Sequence, residues 1–184
     1  MSAPAILSGP TTYRMAPLIR GTLVLLYLAL VLPLAPLAPD GLRPLLLVAL
    51  PVGLVLVLAI SAEQVQLDDE AIAVAYPAWC GWLVRRGWRV PWSAVRALTP
   101  VATSQGGRVF YLRTSDGSAY LLPQRVERFE DFLTRFGGYS GLDTATIGRI
   151  SPPWTYRLLA LLSALMLSGE LIVGLLLRQQ IPLA

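Results

Sequence analysis

Apolar positions along this chain fall into three long runs and one broken, polar-interrupted stretch. The runs are Leu18 to Ala38, Leu42 to Ile60 and Leu158 to Leu177. A helix needs about 20 apolar residues to cross the hydrocarbon core of a bilayer. Each run is near that length, so the pattern predicts three transmembrane helices. The first two form a hairpin, because only Pro39-Asp40-Gly41, a turn signal, separates them. Pro33 and Pro36 fall toward the far end of the first run and should kink it, and Pro51 sits within the second. The hairpin also argues against a cleaved leader, since a second apolar run follows the first at once.

Between Ile60 and Ser151 the period changes. Val65 and Leu67 alternate with polar neighbours, Asp68-Asp69-Glu70 reads as a turn, and Ile72, Val74 and Tyr76 alternate again. Trp82, Val84, Trp88, Val90 and Trp92 extend the two-residue period around Gly87. Val95 to Val101 reads as a strand entered through Pro91-Trp92-Ser93. Val109 to Arg113 and Ala119 to Leu122 flank an Asp116-Gly117 pair, a strong hairpin signal. From Gln124 to Phe136 the spacing becomes helical, with Val126, Phe129, Phe132, Leu133 and Phe136 on one side, and Gly137-Gly138 is the expected stop. The prediction is an α+β membrane protein. Residues 1–17 form a loosely ordered N-terminus and 18–60 a transmembrane hairpin. Residues 61–138 form a small antiparallel β domain closed by one amphipathic helix, and 139–153 a linker. Residues 154–178 form the third crossing, and 179–184 a tail.

Composition sharpens this picture. The 184-residue chain is 55% hydrophobic and only 14% charged, well below the roughly 25% charged residues of a soluble domain. Its net charge is +4, but ten Arg face nine Asp and Glu between Ser61 and Pro152. So balanced a segment does not fit nucleic acid as a partner. There is no His, and Cys80 is the single cysteine. The usual general base, the commonest metal ligand and an internal disulfide are all missing. No catalytic residue, cofactor site or metal site is expected, and a small-molecule substrate is not. Basic residues flanking the predicted crossings are Arg14, Arg20, Arg149 and Arg157 on one face and Arg43 and Arg178 on the other. The positive-inside rule then puts the polar domain on the cytoplasmic side, stromal in a thylakoid.

Two groups of residues could make contacts. Trp82, Arg85, Arg86, Trp88, Arg89, Trp92 and Arg96 interleave cations with indoles. Such a segment suits a partner protein, where Arg and Trp dominate binding energy, or anionic lipid headgroups. Plain strand alternation, one face solvated and one buried, would also produce it. In the third run, Ala160, Ala164 and Ser168 make a small-residue row that would let another helix approach. Glu170 lies inside the same run, where an acid costs about 2.5–3.5 kcal/mol on insertion scales. It is a candidate for intramembrane docking, or an acid simply tolerated by snorkelling or protonation.

Leu67-Asp68-Asp69-Glu70-Ala71-Ile72-Ala73-Val74, Val90-Pro91-Trp92-Ser93-Ala94-Val95 and Tyr111 to Pro123 with its following helix carry a resemblance. Together with the preceding hairpin they resemble bacterial pleckstrin-homology-like membrane proteins, and Leu122 to Phe129 resembles those of cyanobacterial type. That family implies strands, a capping helix and no shared catalytic residues. The layout is also similar to the photosystem I assembly factor family, which has an N-terminal membrane hairpin and a stromal domain. This chain departs from it by a third crossing. The resemblances imply a non-catalytic assembly or stabilising factor whose partners are subunits of a membrane protein complex. The other readings are a lipid- or membrane-surface-binding module and an accessory subunit of a transporter.

Overall fold

The computed structural model describes residues 9–84, 87–104 and 106–179. The architecture is mixed α+β, with two antiparallel sheets and three helices long and apolar enough to cross a membrane. The chain divides into two compact units. One is a β unit built from residues up to Ala16 and from Ala62–Ser151, the other a helical unit built from Pro17–Ser61 and from Pro152 onward.

In the β unit, β1 (Thr11–Arg14), β2 (Gln64–Leu67), β3 (Ala71–Ala75) and β4 (Trp88–Pro91) form a sheet in sequence order. A single 3-10 turn, Trp92–Ala94, leads into a second sheet of β5 (Val95–Ala102), β6 (Arg108–Thr114) and β7 (Ala119–Leu121). Alternation decides what is buried. Val65 and Leu67 on β2 and Phe110 and Leu112 on β6 point inward, with intervening residues less buried. They meet Tyr13, Ile72, Val74, Val90 and Leu122 in one core.

Helix α4 closes that core with Phe129, Phe132, Leu133 and Phe136, but it spans Phe129–Ser140, later than its sequence period suggests. The segment before it is committed elsewhere. Ala16 N–H donates to Arg125 O and Glu127 N–H to Arg14 O, both at 2.8 Å. Val126 bridges to Met15. The buried Gln124 amide donates to Arg108 O at 3.2 Å and Gly148 O at 2.7 Å. The expected stop at Gly137-Gly138 is also displaced. The helix ends at Gly141, whose φ of 68° provides the left-handed cap. Gly137 lies within the helix, where a Cβ would only make ordinary contact with Thr144 at 3.4 Å.

Part of the N-terminus expected to be loosely ordered is a strand. Thr11–Arg14 pairs along its whole length with β2, and Tyr13 is fully buried. Two threonines and a tyrosine carry ample β preference, but four residues are too few for a period to register. Part of the expected linker is also packed, with Ile147 in the core. Residues 1–8 and 180–184 lie outside the described residues.

In the helical unit, α1 (Pro17–Val31) gives way after Leu32-Pro33 to the short α2 (Leu34–Leu37), as the missing proline N–H requires. Next come α3 (Arg43–Ile60), with Pro51 inside it, and α5 (Pro153–Gln179). Helix α1 packs against both α3 and α5. Thr22 Oγ1 donates to Leu18 O at 2.8 Å and lies 3.1 Å from Tyr156 O. The Tyr27 hydroxyl donates to Leu50 O at 2.6 Å, and its ring fills the space left by Gly53. Over Pro17–Leu37, Arg43–Ile60 and Pro153–Leu176, only 17%, 6% and 6% of the apolar windows are buried.

Candidate docking and membrane-contact surfaces

The interleaved Arg and Trp segment does not form one surface. Trp88 is half-buried, and its ring lies 5.0 Å from that of Tyr120. Trp92 stacks on Tyr139 at 5.4 Å, meets Phe136 edge-on at 5.8 Å, and donates its indole N–H to Asp68 O at 2.8 Å. These two indoles edge the core. Arg89, on the opposite face of β4, pairs with Asp68 at 3.1 Å and Glu70 at 3.4 Å. Arg96 is exposed at the bulge between Val95 and Ala97. Arg85 and Arg86 lie outside the described residues.

Trp82 behaves differently. It is not on a strand, since the chain from Pro77 to Val84 is a run of hydrogen-bonded turns. Cys80 and Gly81 N–H donate to Pro77 O at 3.0 and 2.9 Å. Leu83 and Val84 N–H donate to Cys80 O at 2.9 and 3.1 Å. Cys80 is fully buried and anchors the turns, whereas Trp82 is 81% exposed. Its indole N–H donates to Trp79 O at 3.0 Å. Trp79 is 51% exposed and Leu83 41% exposed, so three large apolar side chains of this run of turns are open to their surroundings. Period-two reasoning missed Trp79; the signal for it was the three-residue Trp79-Trp82 spacing after Pro77, one turn rather than a strand.

Strand register sets where this loop emerges. Arg14 and Ala75 both lie opposite Gln64, and Val74 lies opposite Trp88. One end of the four-stranded sheet therefore holds the end of β1, the start of β2, the end of β3 and the start of β4. The turn Asp68-Asp69-Glu70 is at the other end. There Asp68 accepts the N–H groups of Glu70 at 2.9 Å and Ala71 at 2.7 Å. Partial burial pulls its carboxyl upward, but those two bonds and the Arg89 guanidinium outweigh it and hold the group below the usual carboxylate range. Tyr13 donates to Asp131 at 2.6 Å, which lowers the Asp131 carboxyl, with Arg135 assisting from 3.4 Å. Burial first, and then that same carboxylate, push the Tyr13 phenol far above its ordinary value.

On α5 a stripe of reduced exposure runs through Tyr156, Ala160, Ser163, Ala164, Leu167 and Glu170. Spacings of three and four put these residues on one helix face. Ala160, Ala164 and Glu170 share it, whereas Ser168 is exposed and returns its hydroxyl to Ala164 O at 2.8 Å. Among the described residues no three His, Cys, Asp or Glu side chains gather as metal ligands would.

No protein-family model matches the chain, and no solved structure does. An uncharacterized protein of the cyanobacterium Synechocystis sp. (strain ATCC 27184 / PCC 6803 / Kazusa) is 44% identical over 178 residues, covering 94% of this chain and 89% of that protein.

Proposed function

We propose a function for this chain, which belongs to the same family as the uncharacterized Synechocystis protein: it is a non-catalytic integral membrane protein that assembles or stabilises a membrane protein complex. The observation that carries this reading is the apolar exterior of the helical unit. With 6% of the α3 and α5 windows buried, most of two membrane-length helices is left for lipid or for helices of another protein. Glu170, an acid inside the third apolar run, supports docking in particular. An acid at that depth is retained at a cost, and contact with a polar partner group offsets it. Photosynthetic complexes are the partners implied by the likeness to the photosystem I assembly factor.

The β unit is read as pleckstrin-homology-like, supported by two antiparallel sheets followed by one closing helix. Its proposed side is cytoplasmic, or stromal in a thylakoid, supported by the excess of Arg14, Arg20, Arg149 and Arg157 over Arg43 and Arg178. Affinity purification of the full chain from native membranes tests the assembly role. Subunits of one complex should be recovered with it, and Glu170→Leu should reduce that recovery at unchanged abundance. A chain recovered alone under mild detergent contradicts the proposal.

A further inference from the structure

We propose that the loop between β3 and β4 is a membrane-interface anchor, with Trp79, Trp82 and Leu83 entering the headgroup layer of the bilayer that this chain's own helices cross. The inference rests on the proposed crossings and adds a lipid contact made by the β unit itself.

The covalent path points to the bilayer. Only Met15 and Ala16 separate β1 from α1, and only Ser61, Ala62 and Glu63 separate α3 from β2. Both connections leave the sheet from the end at Arg14 and Gln64, which is also the end where β3 stops and β4 starts. The loop therefore departs from the end of the sheet that is tied by a few residues to two membrane-length helices. The acidic turn Asp68-Asp69-Glu70, unsuited to a lipid surface, is at the opposite end.

The chemistry of the loop agrees. Most large apolar side chains of the β unit are packed inward, with Val101 and Leu121 exposed singly on their strands, whereas this one short run of turns exposes two indoles and a leucine. The bonds to Pro77 O and Cys80 O and the buried Cys80 fix the turns, so the apolar side chains are displayed by an ordered scaffold rather than by a loose tip. Trp is enriched at the membrane–water boundary because its ring is apolar and its N–H polar. Here Trp79 O satisfies that N–H locally, which lowers the cost of moving the Trp82 ring out of water.

The test uses the full chain with Cys80→Ala, reconstituted at one copy per nanodisc in phosphatidylcholine with or without phosphatidylglycerol. Nitroxide labels are placed singly at Trp82→Cys, at Ser115→Cys in the β6–β7 turn, and at Leu165→Cys on α5. Relaxation by oxygen, which partitions into lipid, is compared with relaxation by a water-soluble nickel chelate. The label at 82 should be several-fold more oxygen-accessible relative to nickel than the one at 115, in either lipid, and the label at 165 more so again. Lipid-like behaviour at 165 with water-like behaviour at 82 overturns the anchor while leaving the crossings intact. Water-like behaviour at 165 overturns the crossings themselves. Shielding at 82 only when discs hold two copies, or only with a partner protein added, also overturns it. If Cys80→Ala does not fold, quenching of the unlabelled chain by brominated phosphatidylcholine replaces the labels. Trp79→Phe with Trp82→Phe should then remove much of the quenching, and an unchanged value contradicts the anchor.

Discussion

The β unit and the helical unit use the same apolar residue types in opposite ways. In the β unit Tyr13, Leu67, Ile72, Leu112, Phe132 and Phe136 are fully sequestered. In the helical unit Leu45, Leu47, Val48, Leu161, Leu165 and Leu171 face outward. Burial of apolar area drives folding in water, but lipid is as apolar as leucine and exerts no such drive. The contrast is the one expected if the β unit folds in water and the helical unit takes the proposed place in lipid. In the β3–β4 loop of the β unit, Trp79, Trp82 and Leu83 are exposed within five residues, a density otherwise found in the helical unit.

The largest effect expected on the β unit is from Tyr13→Ala, which empties a site between two sheets and α4. It should lower that unit's stability by about 3–5 kcal/mol, read by denaturant unfolding in nanodiscs. Tyr13→Phe keeps the ring and loses only the bond to Asp131, and should lower it by about 1–2 kcal/mol. If the two variants unfold alike, the hydroxyl rather than packing dominates there.

Next comes a charge on an outward face of each unit. Leu161→Arg, at a side chain 57% exposed, should weaken membrane insertion by about 2.5–3.5 kcal/mol, read by glycosylation-mapping of insertion. Val101→Arg, at one 43% exposed, should stay within about 0.5 kcal/mol in an unfolding titration. Equal tolerance at both sites would erase the contrast between the units. Within the helical unit, Gly53→Leu drives a side chain into the Tyr27 ring and should weaken the α1–α3 packing by about 1–3 kcal/mol. Adding Tyr27→Ala should restore part of the loss, measured by resistance to detergent unfolding.

Acid should distinguish the units more gently. Asp68, Asp131 and Asp116 all have lowered carboxyl pKa values in the β unit, the last through its bonds from Thr114 and Ser118. A lowered folded-state value contributes stability that is complete above the unfolded pKa and is lost as pH falls through the folded one. Stability of the β unit should therefore hold from neutral pH to about pH 4 and decline below it. The helicity of the membrane-length helices should not follow. A β unit that weakens between pH 7 and 5 would contradict these assignments.

How much of this was legible in the sequence varies with the signal each element leaves. The three apolar helices and the Asp116-Gly117 hairpin were plain, because length and turn chemistry are local properties. Strand β1 was not, since its pairing partner lies about fifty residues away across the inserted hairpin, and nothing in Thr11–Arg14 reports that distance. The start of α4 was misplaced because Val126 fits the helical spacing while its backbone belongs to the pairing with Met15. Of the contact residues, Trp88 and Trp92 look like Trp82 in sequence. Only the register of β4 and the turns around Cys80 separate core indoles from the outward one.

In the proposed topology three helices cross a bilayer and leave the β unit on one face. Single cysteines at Asp40→Cys and Ser115→Cys in a Cys80→Ala chain, labelled with a membrane-impermeant maleimide in sealed, oriented vesicles, test it directly. Opposite sidedness is expected, with position 115 reactive from the cytoplasmic side and position 40 from the other. Labelling of both from the same side, or of position 40 from neither in intact and opened vesicles alike, would contradict it.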